Sequence, residues 1–92
     1  METYGDIEPV GEFYTYYNYD WSIIGLWKGP LGYYLGTDSG CSCNGAWEYY
    51  NGPDDLTGPL TAEQAREEVE SLVATSRYQG DEGVDEFLRE IV

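Results

Sequence analysis

Taken as a string of apolar and polar positions, the chain divides in two. Residues Gly11 to Trp27 are dense in aromatic and β-branched side chains, and Trp21-Ser22-Ile23-Ile24-Gly25-Leu26-Trp27 is short, apolar and uncharged, the signature of a buried strand. Lys28-Gly29-Pro30-Leu31-Gly32 has turn chemistry, and Tyr33-Tyr34-Leu35-Gly36-Thr37 reads as a return strand, so the two form a β-hairpin. Phe13 to Tyr19 either extends the first strand or makes one of its own, and Ala46 to Tyr50 offers a third short strand.

The period changes after a loop marked by Gly52-Pro53-Asp54-Asp55 and Gly58-Pro59. Thr61 is an N-cap, Gln64 completes a capping box, and Ala62, Ala65, Val69, Leu72, Val73 and Ser76 make one helical stripe, with Gly80 as the C-terminal cap. This predicts a helix over about 61–79. A second, over about 82–91, turns Val84, Phe87, Leu88 and Ile91 inward. Neither is long enough to be stable alone, so both must pack on the sheet or on a partner. The expected class is α+β: a small antiparallel β-meander of about three strands (residues 13–50), packed on one face by two C-terminal helices. It forms a single domain over 1–92, with a β half (1–51), a loop (52–60) and a helical half (61–92).

Composition adds charge to this picture. The 92 residues carry 18 Asp plus Glu against 4 Lys plus Arg and no His, a formal net charge of -14. With 41% hydrophobic and 16% aromatic residues the chain still has the means to build a core, which separates it from acidic disordered tails. Lys28, Arg66, Arg77 and Arg89 are too few and too scattered to follow a phosphate track, so direct nucleic-acid binding is not expected. Anionic headgroups would repel the same surface, and no apolar run approaches the roughly 20 residues of a membrane span. Met1 to Val10 carries Glu2, Asp6 and Glu8 where a signal peptide needs a basic and then an apolar region, so the expected location is cytoplasmic.

The acids have an arrangement. Glu63, Glu67 and Glu70 fall opposite the apolar stripe of the first helix, and Glu82, Glu86 and Glu90 recur every fourth residue on the second. Like charges at that spacing weaken a helix by roughly 0.2–0.5 kcal/mol per pair, and Arg66 and Arg89 offset only part of this. These six glutamates, with Tyr14 and Tyr16 from the tyrosine-rich β half, are the candidate partner-binding residues. A compact chain of this size is about 30 Å across, a length over which duplex DNA carries roughly 18 phosphates. The total charge of -14 is of the same order.

One segment looks like a motif: Asp38-Ser39-Gly40-Cys41-Ser42-Cys43-Asn44-Gly45. A zinc site here would need Asp38 and Glu48, or a second subunit, to complete Cys41 and Cys43. A reactive thiolate is disfavoured by the anionic field and the lack of His, and a disulfide between cysteines this close would be strained. The plainer reading is two small side chains under a turn that Asp38 and Ser39 cap through backbone N–H groups. No nucleophile and base pair is identifiable, so neither an enzyme nor a cofactor is expected.

The run from Tyr19-Asp20-Trp21 through Ile23-Ile24, Tyr33 and Tyr34 to Thr37-Asp38-Ser39-Gly40-Cys41-Ser42-Cys43 resembles a small family of uncharacterised proteins of actinobacteriophages and their hosts, over about residues 19–50. That family tends to place a proline and an aromatic-acid pair after the cysteines, where this chain has Asn44-Gly45-Ala46 before Trp47-Glu48. The resemblance implies a phage gene product working in a bacterial host cytoplasm and carries no activity to transfer. The expectation is an interaction protein, monomeric or dimeric, that meets a basic surface of a host protein, of the kind that binds nucleic acid, and modulates or inhibits it. A zinc module built on the Cys-x-Cys loop and a structural or assembly role are the alternatives.

Overall fold

A computed structural model of the chain describes residues 2–17, 20–41, 45, 47, 50, 52–74 and 83–91. Strands β1 (Glu8–Tyr17), β2 (Asp20–Gly29), β3 (Gly32–Cys41) and β4 (Thr57–Leu60) form one antiparallel sheet in the order β1-β2-β3-β4. Helices α1 (Ala62–Val73) and α2 (Val84–Arg89) follow. The α+β meander expected from the sequence is therefore present, with four strands rather than three.

Directly opposed residues of an antiparallel pair share a face, and the register of β2 explains both sides of the sheet. Ile24 opposes Phe13 on β1, and Leu26 opposes Leu35 on β3. These four, with Tyr33, pack against Ala65 and Val69 of α1 and against Phe87 and Ile91 at the α2 end. The intervening positions Trp21, Ile23 and Trp27 form a second cluster with Tyr34, Trp47 and Leu56, flanked by Tyr4, Ile7 and Tyr50. Helices thus cover one face, while Tyr4 and Ile7 of the 2–7 segment, with Trp47, Tyr50 and Leu56, cover the other. A strand buried on both faces has no reason to alternate, which is why Trp21–Trp27 carries one polar side chain, the buried Ser22, among apolar ones.

The fourth strand lies inside the segment read as a loop. Thr57 opposes Leu35 and Leu60 opposes Tyr33, and a Cβ at Gly58 would lie 2.6 Å from the Tyr33 carbonyl oxygen. Close backbone approach requires glycine there, and the Gly-Pro pair that reads as a turn signal instead sits at a sheet edge, where proline is tolerated. Of the strand expected at 46–50, only Trp47 and Tyr50 are described. Neither is in a strand, and Trp47 occupies a turn at φ 67.

Both helices form as their patterns require. The Thr61 hydroxyl accepts from the Gln64 N–H (3.1 Å), and the Gln64 side chain accepts from the Thr61 N–H (3.0 Å). Ala65 and Val69 are buried, and Ala62, Leu72 and Val73 are half-buried. The described helix ends at Val73 with Ala74 as its C-cap, while Ser76, the predicted end at 79 and Gly80 lie outside the described residues. α2 spans Val84–Arg89 behind Gly83, a shorter element than the one expected over 82–91, and Phe87 and Ile91 are buried as its pattern requires. Arg66 joins the two helical segments: its Nε donates to the Ile91 carbonyl at 3.1 Å, and its Nη2 donates to the same oxygen.

Candidate functional site: an acidic groove beside β1

Glu63, Glu67 and Glu70 are all exposed along α1, opposite its buried Ala65 and Val69, and Glu86 and Glu90 are exposed on and just after α2. Tyr14 is 38% exposed on β1. Glu82 and the Tyr16 side chain lie outside the described residues.

The fold sorts these candidates into two groups. Glu86, Glu90 and Tyr14 come together in a groove of about 360 Å³ between β1 and α2, whose lining also includes Val10, Gly11, Glu12, Phe13, Gly83 and Phe87. Glu63, Glu67 and Glu70 do not line it. Phe13 and Phe87, both buried in the helix-side core, pack beneath it with ring centroids 5.9 Å apart. At Gly11, a Cβ would stand 3.7 Å from the Glu90 Cγ and 3.9 Å from the Phe87 ring, so α2 lies directly against this strand. Three acidic residues, Glu12, Glu86 and Glu90, line the groove.

Glu12 is the residue that sequence reading did not single out. It counted there only toward total charge, and strand and helix acids meet only once the chain is folded. Its Oε2 also accepts from the Trp47 indole N–H at 3.3 Å, so it connects the groove to the aromatic cluster on the far face of the sheet.

That cluster is organised around Trp47. Its ring meets Trp27 edge-on at 5.2 Å and Tyr50 edge-on at 4.9 Å. The glycines Gly25 and Gly36 oppose each other on β2 and β3 and leave the space the indoles fill. A Cβ at Gly25 would fall 2.7 Å from Trp47 and 2.8 Å from Trp27. The Trp27 indole N–H donates to the Glu2 carbonyl at 2.8 Å, holding the 2–7 segment down.

Asp38 belongs to this assembly. Its Oδ1 accepts from the Ser39 N–H (2.9 Å) and its Oδ2 from the Trp47 N–H (2.8 Å). Asp38 thus bonds backbone amides, as the plainer reading of the motif expected, but Asp38 to Cys41 belong to strand β3, paired with Asp20 to Ile23, and not to a turn. The Cys41 side chain, Cys43 and Glu48 lie outside the described residues. Among the described residues no group of three or more Cys, Asp or Glu is placed to hold a metal ion.

The Tyr50 hydroxyl donates to the Thr37 carbonyl (2.6 Å) and accepts from the Thr37 N–H (3.2 Å). Burial pushes its pKa above the ordinary value of 10.0; the bond to Thr37 works against that rise, and the nearby charges of Asp38, Asp55 and Tyr4 add to it. Tyr4 is raised as well, by burial and then by Glu2 and Asp55. Both phenols stay neutral across the physiological range. Among the described residues no helix is long and apolar enough to cross a membrane.

A family model described as a domain of unknown function, DUF7574, matches residues 2–92, and the chain belongs to that family. No curated protein and no solved structure matches the chain.

Proposed function

We propose that this member of the DUF7574 family is an interaction protein that docks its acidic surface on a basic surface of another protein and modulates or inhibits it. The observation that carries the reading is the placement of charge: Glu63, Glu67, Glu70, Glu86 and Glu90 are all exposed on or beside folded helices, in a chain of net charge -14. Charge held on a folded scaffold presents a fixed field, which steers a basic partner into contact and makes the association rate fall steeply with salt.

The phage-type origin implied by the Thr37–Cys43 string belongs to the same reading, with a host protein as target and the bacterial cytoplasm as the place of action. A target whose basic site normally receives nucleic acid fits the dimensions. The molecule is 38 Å in its longest extent, over which a duplex presents about 22 phosphates at roughly 1.7 Å each.

The test is capture. The protein is immobilised and a bacterial host lysate is passed over it at low and at high salt, beside a folded control of matched charge. The expected result is a basic protein retained at low salt and released at high salt. Retention no greater than on the control removes the support for this reading.

A further inference from the structure

We infer that Tyr50 holds shut a strand-pairing edge on β3, and that the strand this edge takes when opened is the β3 of a second copy of the chain. The role goes beyond docking on a basic partner and stands without it.

Among the described residues, the outward-facing main chain of β1 and of β4 is blunted by features of the strands themselves. β1 carries Pro9, a bulge between Pro9 and Gly11, and the exposed Glu8 and Glu12. β4 is four residues long and contains Pro59. Prolines, bulges, short strands and exposed charge all keep an edge from pairing with another chain. β3 outlasts β4: the two pair at Tyr33 and Leu35, yet β3 runs on to Cys41. The overhang contains no proline, and β3 pairs with β2 without a bulge along its whole length.

Side chains take the place of a strand there. Thr37 and Ser39 continue the alternation of Tyr33 and Leu35, so their main-chain groups point outward, away from β2. The Tyr50 hydroxyl accepts from the Thr37 N–H (3.2 Å) and donates to the Thr37 carbonyl (2.6 Å), the two bonds that a residue of a neighbouring strand would make. Asp38 Oδ1 accepts from the next outward N–H, that of Ser39 (2.9 Å). The cover is anchored to the strand it covers. Asp38 Oδ2 accepts from the Trp47 N–H, the Tyr50 N–H donates to the Trp47 carbonyl (3.2 Å), and the Trp47 and Tyr50 rings meet edge-on at 4.9 Å.

The opened edge suits a second copy because it is the part of this surface where self-repulsion is least. Two chains of net charge -14 repel each other, but residues 37–41 contain one charged side chain, Asp38, whose carboxylate is already held in two hydrogen bonds. An antiparallel pair about a two-fold axis sets this stretch against itself, so removal of one hydroxyl opens both sides of the contact at once. A stretch this short pairs weakly, and screening salt is needed to reveal it.

The test is sedimentation velocity of the full chain over a concentration series, at about 0.1 M and about 1 M salt, between which the screening length falls from about 10 Å to about 3 Å. Tyr50→Phe keeps the ring that packs on Trp47 and removes only the hydroxyl. Thr61→Ala is the control for general destabilisation, and Tyr4→Phe the control for loss of another half-buried phenol. At the higher salt Tyr50→Phe should self-associate at least about tenfold more tightly than the parent, from the several main-chain bonds of a new strand pair, while both controls stay within about twofold. Concentration-dependent amide shifts in the isotope-labelled variant should centre on residues 37–40. Association of Tyr50→Phe no tighter than that of Thr61→Ala or Tyr4→Phe, or a shift footprint on residues 8–14 or 57–60 instead, overturns the assignment.

Discussion

Asp38 accepts a 2.8 Å hydrogen bond from the backbone N–H of Trp47, and this bond ties β3 to the tryptophan that closes the far face of the sheet. Trp47 sits at a positive φ of 67, a conformation a bulky residue keeps only when its surroundings hold it. Two carboxylates do so, Asp38 at the backbone and Glu12 at the indole nitrogen.

Asp38→Ala leaves the Ser39 and Trp47 amides without their carboxylate acceptor. Loss of charge-assisted bonds of this kind is expected to cost about 1–3 kcal/mol. Urea unfolding of the variant should show the loss, with altered tryptophan fluorescence in the folded baseline as Trp47 leaves its site.

Gly25→Ala puts a methyl group 2.7 Å from Trp47 and 2.8 Å from Trp27, inside van der Waals contact with both rings. Overpacking of this kind is expected to cost about 1–3 kcal/mol. Gly36→Ala, whose nearest atoms are the flexible end of Leu56 at 2.9 Å and Trp27 at 3.1 Å, should cost less. Gly52→Ala, with nothing within 4 Å, should stay within about 0.5 kcal/mol of the parent. Denaturant midpoints measured in that order check the series, and a Gly25→Ala variant as stable as the parent would remove the packing argument.

Thr61→Ala removes one arm of the capping box at the start of α1. The expected loss is about 1 kcal/mol. Because Ala65 and Val69 of α1 lie in the helix-side core, the loss should appear in global unfolding rather than as local fraying alone.

Alkaline pH should destabilise the fold through Tyr50. Its folded pKa lies above 10.0, raised chiefly by burial, so the stability it contributes is fully present below the unfolded value and is lost as pH rises through the folded one. Tyr4 acts in the same direction. The measurement is unfolding free energy against pH above about 9, comparing the parent with Tyr50→Phe. The variant should be less stable at neutral pH, having lost both bonds to Thr37, and should show a shallower decline at high pH. An equal slope in the two proteins would assign the alkaline loss to other tyrosines.

Much of the fold is legible in the sequence because its signals are local. The capping box needs only Thr61 and Gln64, the hairpin only the Lys28–Gly32 turn between two apolar runs, and the inward faces of both helices only a period of 3.6. What escaped was carried by non-local contact. Thr57-Gly58-Pro59-Leu60 has the composition of a turn, and it becomes a strand because β3 offers it a backbone to pair with. Trp47 looks like part of a short strand, and it becomes a plug because Gly25 and Gly36 leave room for its ring.

The candidate site follows the same division. The sequence by itself determined that the chain is strongly anionic, that it has the apolar and aromatic residues for a core, and that its helices turn glutamates outward, since charge is a sum and amphipathicity a local period. Only the tertiary structure decided which acids stand together. It set Glu12 of β1 beside Glu86 and Glu90 and left the α1 row apart, because the packing of α2 on the first strand brings residues more than seventy positions apart onto one groove.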